Sequence, residues 1–265
     1  MTTDFRALHV PGDPLLLANA WDVASARIVA AAGARAIATT SAGAAWSLGY
    51  PDGDAIDRDT ALDLVRRVTA AVDVPVTADI EGGYSPKPTD LVETAAAVVD
   101  AGAVGVNFED CVYDEPAALL PVEQQAERIA ALRTGGGDLF INARTDVYLR
   151  GVGDPAARLD ETLRRAAAYL AAGADGVFVP GVTDLETVRD LTASIDAPVN
   201  ILAGPGAPPV SALADAGVAR ISLGSSIAAA AYAVADRAAH ELFGPGTYDA
   251  LADGLDYPTL NTLLS

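Results

Sequence analysis

Val76-Thr77-Ala78-Asp79-Ile80-Glu81-Gly82-Gly83-Tyr84 is an apolar strand signal that runs straight into two carboxylates and a pair of glycines. A short strand of this composition is buried on both faces, and in parallel α/β folds ligands bind where such strands end. The pattern recurs twice. Val104-Gly105-Val106-Asn107-Phe108 ends in Glu109-Asp110, and Leu139-Phe140-Ile141-Asn142-Ala143 ends in Arg144-Thr145-Asp146, each about one strand-plus-helix unit after the last. Three successive strands therefore aim ionisable groups at one rim.

A weak repeat marks the joints on either side. Ala31-Ala32-Gly33-Ala34, Asp100-Ala101-Gly102-Ala103, Ala171-Ala172-Gly173-Ala174 and Asp215-Ala216-Gly217-Val218 each precede a short apolar run. Each copy predicts a helix stopped by a left-handed glycine, a two-residue link and a buried strand. Strands are predicted near 15–18, 36–39, 76–79, 105–108, 140–143, 176–179, 199–203 and 221–223. Alanine-rich amphipathic helices are predicted over 23–32, 60–71, 90–101, 122–133, 158–172, 184–194 and 209–216. This predicts an α/β fold, a closed (β/α)8 TIM barrel with its ligands at the carboxyl-terminal rim.

The 265 residues match the roughly 250 typical of such a barrel, so a single domain over 1–265 is expected. The connections 40–58 and 110–120 are long and rich in Gly, Pro and Asp, which predicts covers over the site. Segment 227–265 opens as an alanine-rich helix and carries Leu242, Phe243, Tyr248, Leu251, Tyr257 and Leu260. That is more apolar surface than a solvated tail carries, and it predicts a helical oligomerisation segment. Folding back over its own barrel is the alternative.

Composition narrows the function. A formal charge of −19 repels phosphate backbones and anionic headgroups, so neither nucleic acid nor membrane is an expected partner. Met1-Thr2-Thr3-Asp4-Phe5-Arg6 has no basic-then-apolar signal pattern, and no apolar run approaches the roughly 20 residues of a bilayer span, which predicts a soluble cytoplasmic protein. Cys111 is the only cysteine, so there is no internal disulfide framework. Lys87 is the only lysine and lies between Pro86 and Pro88, which disfavours Schiff-base chemistry and removes the Walker motif. His9 and His240, the only histidines, fall outside the strand-end pattern and are expected to be packing or surface residues rather than triad members.

Asp79, Glu81 and Glu109 supply hard carboxylate oxygens, a set that suits magnesium or manganese rather than zinc or copper. A helix cap is the alternative for any one acid, and Asp79, the last strand residue, fits that alternative least. Gly82 and Gly83 are expected to let backbone approach a ligand closely. Arg144 ends an apolar strand, where its fork of donors suits a substrate carboxylate; a salt bridge to Asp146 or Glu109 is the other reading. Ser41-Ala42-Gly43-Ala44 is either a plain turn or a hydroxyl with free amides that holds a carboxylate or enolate oxygen. Asp52, in Pro51-Asp52-Gly53, is either a turn residue or a site acid. The Cys111 thiol, beside Glu109 and Asp110, is expected to have a raised pKa and no nucleophilic role. Trp46 and Tyr84 either line the pocket or fill core space.

Together these motifs resemble the isocitrate lyase/phosphoenolpyruvate mutase superfamily, from Asn19-Ala20-Trp21-Asp22 to Arg220-Ile221-Ser222-Leu223-Gly224. Ser41-Ala42-Gly43 with Ser47-Leu48-Gly49-Tyr50-Pro51-Asp52 resembles the family's substrate loop and its aspartate. Asp79-Ile80-Glu81 resembles the Asp-x-Asp metal motif, Glu109-Asp110 the next acid of the metal shell, and Ala143-Arg144 the substrate-binding arginine. The resemblance implies a magnesium-dependent enzyme of small 2-oxo or 2-hydroxy acids that passes through a pyruvate-type enolate. It implies direct metal contact by Asp79, contact through water by Asp52, Glu81 and Glu109, and catalytic roles for Arg144, Asp52 and Glu109. It further implies a homotetramer with the eighth helix exchanged between subunits.

The chain departs from the best-known members. Cys111-Val112-Tyr113-Asp114-Glu115-Pro116 carries neither the Lys-Lys/Arg-Cys-Gly-His loop of isocitrate and methylisocitrate lyases nor the lysine of the phosphonate mutases, and Val179-Pro180-Gly181 lacks the lyases' glutamate. A carbon–carbon lyase or decarboxylase is the leading reading. Phosphoenolpyruvate/phosphonopyruvate mutase or hydrolase chemistry and a non-catalytic metabolite-binding barrel are the alternatives.

Overall fold

Eight parallel strands follow one another around a ring: β1 Leu15–Leu17, β2 Ile37–Ala38, β3 Val76–Asp79, β4 Gly105–Glu109, β5 Phe140–Arg144, β6 Gly176–Val179, β7 Val199–Leu202 and β8 Arg220–Ser222. The computed structural model describes residues 4–115 and 117–265; Met1-Thr2-Thr3 and Pro116 lie outside the described residues. Neighbours pair in chain order, β8 pairs with β1, and an Ala20–Thr39 bridge joins the β1 and β2 ends, so the chain forms the expected (β/α)8 barrel.

Helices alternate with the strands: α1 Val23–Ala31, α2 Ser41–Ser47, α3 Arg58–Thr69, α4 Pro88–Asp100, α5 Val122–Gly136, α6 Arg158–Ala171, α7 Leu185–Ser194, α8 Val210–Asp215, α9 Ser226–Phe243 and α10 Tyr257–Leu264. Aspartates start several of them, because a carboxylate satisfies an N–H that the first helical turn leaves unpaired: Asp22, Asp57 and Asp184 accept from the backbone of Ser25, Thr60 and Thr187. At the repeat joints the glycines adopt the left-handed conformation, with φ 97° at Gly33 and 107° at Gly173. One connection differs from expectation. Residues 41–47, read as a turn in a long cover, form the helix α2, whose mostly small residues are buried.

Alternation along the strands divides the core in two. Outward residues such as Ala78, Val106, Phe108, Ile141 and Ala143 pack under α4 and α5 with Leu91, Val98, Ile129 and Leu132. The inward row is polar in its upper layers, with Asn107, Asn142, Asn200 and Arg220 all buried. At the base Phe5, Leu15, Leu17 and Phe140 close the barrel. His9 stacks on Phe140 there, with ring centroids 4.1 Å apart, and is the packing residue the sequence suggested.

Burial, with the charge of Arg220 next, lowers the His9 imidazole to about 4. The unfolded chain therefore takes up a proton at His9 that the folded chain refuses. Stability is expected to fall as pH drops from about 6.5 towards 4, by up to about 3 kcal/mol from this residue. Urea melts of the parent and His9→Gln at pH 7 and 4.5 measure it: the parent should lose more stability than the variant, and equal losses would reject the assignment.

The C-terminal segment splits in two. Of the eighteen residues of α9 only Ala228 is buried, at the start of the helix where it meets α2, and most of the rest is exposed. By contrast α10 returns to α1, where Arg27 donates from Nη1 to the Leu263 carbonyl at 3.3 Å. No helix among the described residues is long and apolar enough to cross a membrane.

Candidate active site

The strand-end acids and their neighbours enclose a cavity of about 230 Å³ at the carboxyl-terminal rim, walled by Ser41, Ala42, Asp52, Asp79, Asn107 and Arg144 among others. Asp79 is placed there because β3 ends on it. Its Oδ2 accepts from the Ser41 hydroxyl at 3.0 Å and the Ser41 amide at 3.2 Å, and its own amide donates to Thr39 Oγ1 at 2.9 Å. Asp52 arrives from the loop after α2. Burial raises its pKa and the charge of Asp79 raises it further, so two carboxylates face one space.

Arg144, at the end of β5, is held on two sides. Its Nε and Nη2 donate to Asp146 at 2.6 and 2.9 Å, and its Nη1 lies 2.6 Å from Glu109 Oε2. Both salt bridges named in the sequence reading form, and Arg144 still reaches the cavity. Burial works against its charge, but Glu109 and Asp146 outweigh that and keep it cationic. Three of the five N–H donors are committed, which leaves two for a ligand.

Glu109 and Glu81 do not line this cavity. Glu109 Oε1 accepts from Tyr113 at 2.8 Å and from the Cys111 thiol at 2.9 Å, and burial raises its carboxyl to about 7 against the pull of Arg144. Glu81 is buried, accepts from the Asp54 amide, and is pushed to about 9, chiefly by burial and then by Asp79, Asp54 and Asp52. Asp110 turns outward instead, where Arg165, Tyr169 and the Asp146 amide hold it at 3.0, 2.7 and 3.0 Å. Burial and Glu109 push the Cys111 thiol up, as its acidic neighbours suggested.

Three residues named in the sequence reading have packing roles here. Gly43 is absent from the cavity wall, and a Cβ there would come within 2.8 Å of Thr40 and Trp21 and 3.1 Å of Ala228, so its smallness lets α2 pack against α9. A Cβ on Gly83 would collide with Leu91 and Phe108, so that glycine serves packing rather than a ligand. Trp46 packs edge-on to Tyr232, with centroids 6.3 Å apart, away from the cavity.

The carboxylates that suit a hard cation are those without a cationic partner. Glu109, Cys111 and Asp146 place ligand atoms within 4.8 Å of one another, but Arg144 and Arg150 already neutralise the two acids and the thiol is soft. Asp79 and Asp52 offer oxygen donors, repel each other and form no salt bridge among the described residues, so an added divalent cation would fit them.

The profile of the phosphoenolpyruvate phosphomutase family matches residues 5–243. The chain belongs to the isocitrate lyase/phosphoenolpyruvate mutase superfamily. An uncharacterized protein of Mycobacterium tuberculosis H37Rv is 39% identical over 222 residues, 83% of this chain and 81% of its own. The 2-methylisocitrate lyase of Escherichia coli K12 is 29% identical over 205 residues, 74% of this chain and 67% of its own. A lyase/mutase candidate from Burkholderia cenocepacia J2315, known as a crystal structure, has a TM-score of 0.91 at 38% identity, over 97% of this chain and 94% of that one.

This superfamily member keeps its rim in shape with a residue the sequence did not reveal. Arg128, buried in α5, donates to the Gly82 carbonyl and, at 3.1 Å, to that of Ser85, and its guanidinium lies 5.0 Å from the Phe108 ring centre. It clamps a turn in which Glu81 and Tyr84 take φ of 50° and 61°, a conformation that costs side-chain-bearing residues roughly 1–2 kcal/mol each.

Proposed function

We propose that the chain is a magnesium-dependent carbon–carbon lyase or decarboxylase of a small 2-oxo or 2-hydroxy (di)carboxylic acid, acting through a pyruvate-type enolate. The observation that carries this reading is the shared cavity of Asp79, Asp52 and Arg144: two carboxylates without a cation opposite a guanidinium with N–H groups to spare. At about 230 Å³ it falls below the roughly 300–1,000 Å³ of drug-sized pockets, as a small acid requires.

In this reading Asp79 would hold the ion directly, with Asp52 beside it and Glu81 and Glu109 behind the cavity wall acting through its waters; manganese would serve in place of magnesium. The ion supplies Lewis-acid polarisation of the substrate's carbonyl and carboxylate oxygens. Arg144 binds the carboxylate or enolate oxygen, where negative charge grows as the adjacent carbon–carbon bond breaks. Ser41 fixes Asp79 with its amide and hydroxyl, and the amides that follow, of Ala42 and Gly43, would face the substrate. Glu109 positions Arg144 through Oε2, while its Oε1 accepts from Tyr113 and Cys111.

No lysine reaches the cavity, since Lys87 is exposed at the start of α4, and this favours carbon–carbon over phosphorus–carbon chemistry. A magnesium-supplemented screen of oxaloacetate, methylisocitrate, substituted malates and phosphonopyruvate tests the reading. Pyruvate or a homologous oxo acid is expected; phosphate release would select the hydrolase, a phosphorus NMR shift without phosphate release would select the mutase, and turnover of none would favour a binding barrel.

We further propose a homo-oligomer, a tetramer, assembled through residues 227–265. An α9 that buries only Ala228, together with Phe243 at 84% and Tyr257 at 81% exposure, supports a partner subunit there. Light scattering should find the full chain oligomeric at micromolar concentration and a truncation after Asp236 dissociated, with its circular dichroism retained. A monomeric full chain would reject the assembly.

A further inference from the structure

We propose that the side-chain amide of Asn107 donates a hydrogen bond to an anionic oxygen of the substrate, and so helps to select ligands that present an oxyanion to the cavity floor. This rests on the active-site reading above but assigns a role to a residue that reading does not use. Asn107 lies across from Asp79 in the β3–β4 register, two residues before Glu109, and lines the same cavity.

Hydrogen-bond polarity fixes which end of Asn107 faces the ligand. Arg220 Nη2 lies 3.0 Å from the Asn107 side chain, and a guanidinium only donates, so the atom it meets is Oδ1. Asn142 Nδ2 donates to the same oxygen at 2.8 Å and to Asn200 Oδ1 at 3.1 Å. Asn200 is itself anchored, because its Nδ2 donates to the Ile201 carbonyl at 2.9 Å. The chain of amides thus reads in one direction from both ends, and a flip of any member would set donor against donor or acceptor against acceptor.

With Oδ1 committed twice, the polar group that Asn107 has left for the cavity is Nδ2, and among the described residues no hydrogen bond takes it up. Arg220 is 1% exposed, and burial lowers it only to about 9, so it remains a cation at neutral pH. A charged donor on Oδ1 polarises the amide and makes its N–H groups better donors. Ser222 repeats the arrangement: its Oγ accepts from Asn200 at 3.1 Å, which frees its proton for the cavity it lines. The floor therefore presents donors, while the Asp79–Asp52 wall presents acceptors.

Calorimetry with oxalate, a small dianion shaped like a pyruvate enolate, tests the assignment in the full-length protein with magnesium present. Asn107→Asp keeps an acceptor for Arg220 and Asn142 but puts a carboxylate oxygen where Nδ2 was. It should weaken oxalate binding roughly tenfold or more while leaving magnesium affinity, measured without oxalate, unchanged or tighter. Asn107→Ala should weaken oxalate in the same direction, and it decides the matter if the aspartate variant does not fold. Unchanged oxalate affinity, or loss of magnesium affinity in the alanine variant, would overturn the role of Asn107 and leave the active-site reading standing. A parent protein that binds no oxalate with magnesium present would overturn both.

Discussion

Asp79→Ala should lose magnesium binding in calorimetry and keep its fold. Asp79 ends a buried strand and faces the cavity without a salt bridge among the described residues, so in the proposed reading the substitution takes away a direct ligand. Outer-shell changes alone cost roughly 10–100-fold in metal affinity, and the loss here should be at least that. Stability should move by only about 1 kcal/mol. The hydrogen bonds lost are those from the Ser41 amide and hydroxyl and a long one, at 3.5 Å, from the Glu81 amide, all at a half-buried position, and the repulsion of Asp52 is lost with them. Magnesium should raise the melting temperature of the parent and not of the variant. Unchanged affinity would sink the metal assignment, and a loss of roughly 2–5 kcal/mol, the range of a core deletion, would make the carboxylate structural.

Asp79 was legible because it breaks the pattern of its own strand, and the same holds for Glu109 and Arg144: each charge closes an apolar run and so marks where the strand reaches the rim. The glycine joints were legible because a left-handed residue after a helix leaves little choice of side chain. What the sequence held but its reading passed over is the barrel interior. Asn107, Asn142 and Asn200 each stand between two apolar residues at the strand period, a sign that the inward row is polar, yet these strands read as uniformly apolar runs. Other features have no local signal. Arg128 looks like any helix-surface arginine until the loop it clamps is placed beside it, and Gly43 is small because α9, almost two hundred residues later, packs on it. Asp52 sits in an ordinary Pro-Asp-Gly turn, and only the closed barrel brings it to Asp79.

Arg144→Lys should not rescue Arg144→Met, and the reason lies as much in what already holds the arginine as in the ligand. The guanidinium serves Asp146 with two N–H groups, Glu109 with a third and the cavity with those left over. An ammonium has three donors radiating from one atom and cannot place two in parallel on Asp146 while reaching both Glu109 and a substrate oxygen. With a confirmed substrate, kcat/KM should fall by roughly 10²–10³ in the lysine variant, as for loss of an oxyanion donor, and by at least as much in the methionine variant. Stability separates the two. Arg144→Met leaves Glu109 and Asp146 buried with one cation fewer, a change that costs about 3–5 kcal/mol, whereas lysine keeps the charge and should cost less. A stable lysine variant with near-parental kcat/KM would show that charge alone suffices and that the planar fork has no part in catalysis. A variant that is stable, folded and inactive would place the function of Arg144 in its geometry.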